Sequence, residues 1–511
     1  MLIACACYLA PLWSATYPLM QDLPGHIEVG LRVSEALGLT QSVPDVFALR
    51  PFPWPNSLGH LALGTLRSLL PDLIAAKLIL SCSVSAYIWL LYTAARRLGL
   101  GLVRPTLAAV SVYDLNWGFG FFSFIVGRPI FLAWILLAVG VFRVPERARP
   151  WCLALLQLPL FLAHGLWWCL TWLAVPILLW GGHVRPRAML PSATVAFVIP
   201  WVYLFSTGSV PQDGGFKWRS PSSVLRLLFS DLSGVHAGMS DTLAYGLALG
   251  LGFLILLARK GGFSKAMGTT AWAHRDDPRP YAKADRQGPS AQMTLWRIGI
   301  VLLALYAILP FNIPNVEVIS PRTLSTGMAL FLLCMPGPLF RRAHVSAVDS
   351  IAVDREQRRM NTLGVTAAFA FNVLHAGGYA AAQMRFEREE MQAFPALLAA
   401  IPSGSHVGVV NERERGAGAL RYSLRYWPWL ASLKKDIRFN HSFTYLATTY
   451  AYIRDPVELQ KRQVQGKVSC DLLRKLDWVV FQSDRSMPPP ELAPCLGPAQ
   501  SFNQWHLMRI R

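Results

Sequence analysis

The chain is 511 residues long; 53% are hydrophobic, only 15% are charged, and the net charge is +19. Soluble proteins carry closer to about a quarter charged residues, so this composition excludes an ordinary soluble enzyme and places most of the chain in lipid. The basic surplus does not mark a nucleic-acid binder, because its placement follows a membrane topology.

A span needs about 20 mainly apolar residues to cross roughly 30 Å of hydrocarbon. Apolar runs predict a polytopic α-helical membrane protein with about 11 transmembrane helices. They lie near 2–20, 73–94, 105–120, 125–142, 151–164, 166–181, 188–206, 242–258, 298–311, 323–339 and 363–381. The first run has no Lys or Arg ahead of it, which reads as an uncleaved span rather than a signal peptide.

Every second connection is basic. Arg96, Arg97 and Arg104 follow the second run, Arg143, Arg147 and Arg149 the fourth, and Arg185 and Arg187 the sixth. The connection 259–297 after the eighth is the richest, and Arg341, Arg342, Arg355, Arg358 and Arg359 follow the tenth. The positive-inside rule then makes the N-terminus and 259–297 cytoplasmic. The loop 21–71 and the C-terminal part fall on the extracytoplasmic side. The 259–297 connection lacks periodicity and reads as a linker.

Loop 21–71 carries two amphipathic patterns. "LPGHIEVGLRVSEALGL" spaces Ile27, Leu31, Val33 and Leu37 helically, and "RPFPWPNSLGHLALGTLRSLL" is a Pro-rich turn followed by a helix capped near Asn56 or Ser57. At the loop's start, Asp22, His26 and Glu28 fall within seven residues beside the membrane. Ionisable groups there are expensive unless they are used. Asp22 has two readings: a carboxylate that acts as general base or holds a divalent cation against a phosphate, or a plain helix N-cap. His26, four residues on, shares its helix face and either contacts a phosphate or is a satisfied interfacial ring.

Asp114, in "VYDLNWGFGFF" of the third run, needs a polar cavity or a cation such as Arg128. The pair reads either as structural or as part of a substrate site. His164, in "FLAHGLWW", marks an external turn, with Trp167 and Trp168 fitting an interfacial belt. Lys217, Trp218 and Arg219 in "FKWRS" suit an anionic lipid, or snorkel. Arg322, in "NIPNVEVISPRTLS", suits a lipid phosphate through its planar fork, or snorkels to ordinary headgroups. Phosphate-binding loops, zinc spacings and nucleophile elbows are missing from the sequence.

The chain divides into a transmembrane domain, 1–381, and a small α/β domain, 382–511. In the latter "EMQAFPALLAAI" reads as helix, "HVGVVN" as strand, "DLLRKLDWVVFQS" as helix then strand, and "WHLMRIR" as a terminal strand. Cys470 and Cys495 are its two cysteines and either pair as a disulfide, if the domain is extracytoplasmic, or stand apart.

This layout, with "QDLPGHIE", "PNSLGHL", "NWGFGFFSFIVGRP", "LAHGLWW" and "ISPRTLS", resembles the GT-C superfamily of integral-membrane glycosyltransferases and uncharacterised bacterial relatives of that class. The resemblance implies a bacterial inner-membrane enzyme that transfers a sugar from a polyprenyl-phosphate donor to a glycan, lipid or protein acceptor, with inversion. It implies that Asp22 is the catalytic acid of the first loop and that Arg322 contacts the lipid phosphate. Asp114 is a looser match to a second acid. His26, Arg128 and His164 complete the expected substrate contacts, and a divalent cation (Mg2+ or Mn2+) is an open expectation. Two other readings stand beside it: a lipid or polysaccharide flippase, and a non-catalytic scaffold.

Overall fold

The computed structural model describes residues 1–40, 47–50, 52–207, 215–233, 288–312, 319–335, 350–411, 427, 438–439, 451–453, 469–483 and 490–511. The predicted span 242–258 and most of the predicted cytoplasmic connection, 259–287, lie outside the described residues.

The first helix, α1, covers Leu2–Trp13 and so stops well short of the predicted residue 20. Residues beyond it leave the helical ladder because a later helix, α14 (Ser350–Phe386), supplies their hydrogen bonds. The Leu19 N–H donates to Gln383 Oε1 (3.0 Å), while Gln383 Nε2 and Tyr379 Oη donate to the carbonyls of Tyr17 and Leu19 (2.9 Å each). Backbone groups removed from water need such partners.

The two amphipathic helices of the first loop are present as α2 (Leu23–Ala36) and α3 (Ser57–Arg67). Asn56 occupies the N-cap position of α3 but makes no capping bond. The next helix, α4 (Asp72–Arg97), matches the second predicted span.

The third predicted span is not one helix. It breaks into α5 (Val103–Ala108), a 3-10 turn (Ala109–Val112), extended backbone at Tyr113 and Asp114, and the short α6 (Leu115–Phe119). A continuous helix would bury the Asp114 carboxylate in hydrocarbon; the break lets that side chain bind backbone instead.

Four apolar helices follow: α7 (Phe122–Ala138), α8 (Arg149–Ala163), α9 (Gly165–Trp180) and α10 (Leu190–Thr207). Trp167 is not an interfacial residue but fully buried, stacked on Phe124 and Phe131. Beyond α11 (Pro221–Ser233), α12 (Gly288–Ile308) begins inside the stretch predicted as linker and crosses α13 (Pro321–Cys334). The two backbones touch at Gly299 and Gly327: a Cβ on Gly299 would lie 2.8 Å from the Phe331 nitrogen. Such contacts are the usual packing of helices in lipid.

Asp72–Arg97 and Ala291–Ile308 are long and apolar enough to cross a membrane, and several shorter apolar helices accompany them. Large apolar side chains including Trp151, Leu155, Trp180 and Leu374 point outward from the bundle, as a lipid-facing surface requires.

The boundary predicted at 381/382 falls inside α14, which continues to Phe386 and passes into a π-helical turn, Glu387–Met391. After α15 (Phe394–Ala400) come strands β2 (His406–Asn411), β3 (Arg438–Phe439), β5 (Trp478–Gln482), β6 (Leu496–Phe502) and β7 (Trp505–Ile510). They form one sheet in the order β3-β2-β5-β7-β6, parallel across β3, β2 and β5 and antiparallel thereafter. Glu390 of the π-turn docks this sheet: its carbonyl accepts from Trp505 Nε1 (2.8 Å) and its carboxylate from Gln504 Nε2 (2.6 Å).

A separate two-stranded pairing joins β1 (Phe47–Leu49) of the first loop to β4 (Ala451–Ile453), so that loop and the tail share one side of the molecule.

Cys470 and Cys495, 25 residues apart, form a disulfide. Closing a loop of that size restrains the unfolded tail by about 3 kcal/mol. Thiol labelling of unreduced membranes should leave both sulfurs unmodified. Cys470→Ser should make the tail cleavable by protease at concentrations that the wild-type chain resists.

Candidate functional site

The site begins with the way Asp22 is held. The N–H groups of Gln21 and Asp22 donate to the carbonyls of Gly118 (3.1 Å) and Phe119 (2.8 Å), the C-terminal turn of α6. Gly120 ends that helix at φ 73°, a left-handed conformation open to glycine. It also permits close approach, since a Cβ there would lie 3.1 Å from the Asp22 nitrogen and 3.0 Å from that of Leu23.

The short helix α6 is in turn organised by Asp114. Its carboxylate caps the helix by accepting from the Trp117 N–H (3.0 Å), and accepts further from Asn116 Nδ2 and Arg128 Nη2 (2.7 Å each). Arg128 Nη1 donates to the Ser111 carbonyl at 2.9 Å. Asp114 and Arg128 are only 1% and 3% exposed and form a buried ion pair.

Asp22 occupies the N-cap position of α2, yet its side chain makes no capping hydrogen bond. The half-buried carboxylate lies near Gln21 Nε2 (3.3 Å) and acts electrostatically on Arg322. Arg322, at the start of α13, is 6% exposed and covers the Phe121 ring at 4.1 Å. Its Nη1 sits 2.6 Å from Nε2 of His164.

His164 also caps α9, accepting from the Leu166 N–H at Nδ1 (3.1 Å). The neutral ring has one lone pair, which either the Leu166 N–H or the Arg322 guanidinium, itself only a donor, can use according to the tautomer.

The remaining wall is a histidine pair. His26 Nδ1 and His60 Nε2 lie 2.8 Å apart, with the rings stacked at 5.1 Å and Phe122 beside His26. Burial pushes all three imidazoles toward the neutral form. His60 drops to about 4. His26 falls well below the usual histidine value through burial first, then His60, Arg322 and His164, and His164 falls likewise through burial and Arg322. The site thus brings together one carboxylate, one guanidinium and three neutral imidazoles.

Among the described residues no three His, Cys, Asp or Glu side chains gather around a point, and Asp114 is paired with Arg128. Arg219 pairs with Asp231 and lies over the Phe311 ring.

No family model matches the chain, and no curated protein matches it. Among solved structures, ArnT from Cupriavidus metallidurans bound to undecaprenyl phosphate is similar, with a TM-score of 0.53 and 13% identity over 99% of this chain and 96% of that one. ArnT in the apo state gives the same TM-score at 14% identity. The chain shares the fold of ArnT over nearly its whole length. The arabinofuranosyltransferase AftD from Mycobacteria is also similar, at a TM-score of 0.48, but this chain spans 39% of it.

Of the residues singled out in the sequence, Asp22, His26, His164 and Arg322 converge, while Asp114 and Arg128 lie behind them as support. The sequence reading missed His60 and Phe121. His60 carried a signal: Asn56 and His60 repeat, at the start of α3, the four-residue spacing of Asp22 and His26 at the start of α2.

Two outcomes follow. Arg128→Ala leaves a buried carboxylate uncompensated and should destabilise the detergent-solubilised protein by about 3–5 kcal/mol, read as a fall in thermal unfolding temperature. Because His60 is neutral when folded but binds a proton near pH 6.5 when unfolded, stability should fall as pH drops from about 6.5 to about 4. His60→Phe should flatten part of that slope.

Proposed function

We propose that the protein is a glycosyltransferase that moves a sugar from a polyprenyl-phosphate donor to an acceptor hydroxyl on the extracytoplasmic face of a bacterial inner membrane, with inversion. The observation that carries this reading is the placement of Asp22: a carboxylate at a helix N-cap that does not cap, held from its backbone beside a buried guanidinium. ArnT, whose fold the chain shares, is known bound to undecaprenyl phosphate, which agrees with a lipid-linked donor here.

In this mechanism Asp22 takes the proton of the acceptor hydroxyl as that oxygen attacks the anomeric carbon. The bond from that carbon to the phosphate oxygen breaks, and its electron pair stays on the departing polyprenyl phosphate. Arg322, with His164 against its guanidinium, receives the phosphate oxygens, where the negative charge grows. The lipid tail lies along the outward apolar faces of the bundle. We assign Asp114 and Arg128 to the frame rather than to substrate, and no step is routed through a metal ion.

The topology we assign has the N-terminus cytoplasmic and both the first loop and the tail extracytoplasmic. The β1–β4 pairing supports a common side for loop and tail, and the Cys470–Cys495 disulfide suits an oxidising compartment.

Asp22→Asn keeps shape and backbone bonds but removes the base. In membranes matched for expression, transfer of radiolabelled sugar from a panel of polyprenyl-phosphate sugars should drop by about 100- to 10,000-fold. Equal transfer by wild type and Asp22→Asn would refute the role of Asp22. Lipid flipping by a wild type that transfers no sugar would favour the flippase reading.

A further inference from the structure

Two donors compete for one acceptor at His164. The Leu166 N–H lies 3.1 Å from Nδ1, and Arg322 Nη1 lies 2.6 Å from Nε2. The neutral imidazole has a single lone pair to meet them. Because the guanidinium can only donate, an approach of 2.6 Å is a hydrogen bond when Nε2 accepts and a clash of two N–H groups when it does not. A bond from a charged donor is also roughly twice as strong as one from a neutral amide. Both arguments favour a lone pair at Nε2, with the Leu166 N–H as the weaker claimant.

The backbone holds the ring in place for this contact. His164 lies between the end of α8 and the start of α9, in an extended conformation. Its N–H donates to the Leu160 carbonyl (2.9 Å), and its carbonyl accepts from the Trp167 N–H (3.0 Å), so both helices grip it. The Phe124 ring meets the imidazole edge-on at 5.2 Å. Phe124 is itself tied to the same helix, its carbonyl accepting from Trp167 Nε1 at 2.8 Å.

Arg322 enters from the start of α13, its guanidinium over Phe121 at 4.1 Å and Phe124 at 5.7 Å. Aromatic faces attract a cation without dictating where each N–H points. An acceptor at Nε2 supplies that direction to Nη1.

We propose that His164 is a positioning residue: its Nε2 lone pair fixes one edge of the Arg322 guanidinium, and so sets the orientation in which Arg322 meets a polyprenyl phosphate. The assignment rests on the phosphate-binding role given to Arg322 above. The competing role for His164 is the helix cap alone, with Nδ1 as the working atom. Substitution separates the two atoms, because an Asn side chain reaches about as far as Nδ1 and a Gln side chain about as far as Nε2.

The test is equilibrium binding of undecaprenyl phosphate to the full-length protein in detergent at pH 8, with thermal unfolding measured alongside. His164→Asn still accepts from the Leu166 N–H but falls short of Arg322. It should unfold at the wild-type temperature yet bind about tenfold more weakly, the loss expected for one hydrogen bond to a charged group. His164→Gln keeps an acceptor for Arg322 and should bind as wild type does. In an Arg322→Met background, His164→Asn should cause no further loss, since a residue that acts through another has nothing left to act on.

Binding by His164→Asn as tight as that of His164→Gln, or tighter, leaves His164 a cap or a structural residue and overturns the assignment. A further tenfold loss on adding His164→Asn to Arg322→Met means that His164 touches the phosphate itself, which overturns it as well. Either result leaves the glycosyltransferase reading intact. Failure of the wild type to bind undecaprenyl phosphate removes the lipid-phosphate reading of Arg322, and this assignment with it.

Discussion

The arrangement depends on the buried ion pair between Asp114 and Arg128. Removing two charges from water costs more than their attraction returns unless the remaining hydrogen-bonding capacity is also met. Here Asp114 accepts from Trp117 and Asn116 as well as from Arg128, and Arg128 reaches the Ser111 carbonyl. Meeting those demands requires the backbone to stop being a helix between Val112 and Leu115, and the break turns the carbonyls of Gly118 and Phe119 toward Gln21 and Asp22. Asn116 also approaches the Pro321 carbonyl, one residue before Arg322, at 3.4 Å. One ion pair therefore sets the register of both charged groups of the site, although neither Asp114 nor Arg128 is assigned to substrate.

The approach to Asp22 is fixed a second time from the other direction. Gln383 and Tyr379 of α14 hold the chain at Tyr17 and Leu19, and the Thr16 N–H donates to Glu387 of the turn that follows α14. The same turn docks the C-terminal sheet through Glu390, and one hydrophobic core runs from the bundle through Phe394 to Trp427 and Trp505. The tail is thus continuous with the frame of the site. A loop gains precision when rigid elements hold it on both sides.

Much of this was legible in the sequence because the physics is local. Apolar runs reported helices of the bundle, amphipathic spacing reported α2 and α3, and β-branched runs reported β2, β5 and β7. The failures share a cause in long-range hydrogen bonds. Nothing near residues 14–20 shows that Gln383 will take over their backbone partners, so a helix to residue 20 was the natural expectation. The broken third span needed Arg128 to be known as the partner of Asp114, and not merely a candidate. Trp167 reads as interfacial beside Trp168 until Gly127 is seen to open a space for it, a Cβ there falling 2.4 Å from the indole. His60 was hidden for the same reason, since its meaning depends on His26 across a helix crossing.

In the proposed reaction the three imidazoles let the site hold a base and an anion-binding group together. Charged histidines would supply positive charge beside Asp22, lowering its ability to take a proton, and would blur which cation receives the phosphate. Burial keeps them neutral, so they contribute hydrogen-bond direction without net charge. The charge that moves during the proposed reaction is then confined to the acceptor oxygen, Asp22 and the departing phosphate, with Arg322 as the fixed counter-charge. Such a division is effective because its dipoles and charges are set before the substrate arrives and need not reorganise as the bond breaks.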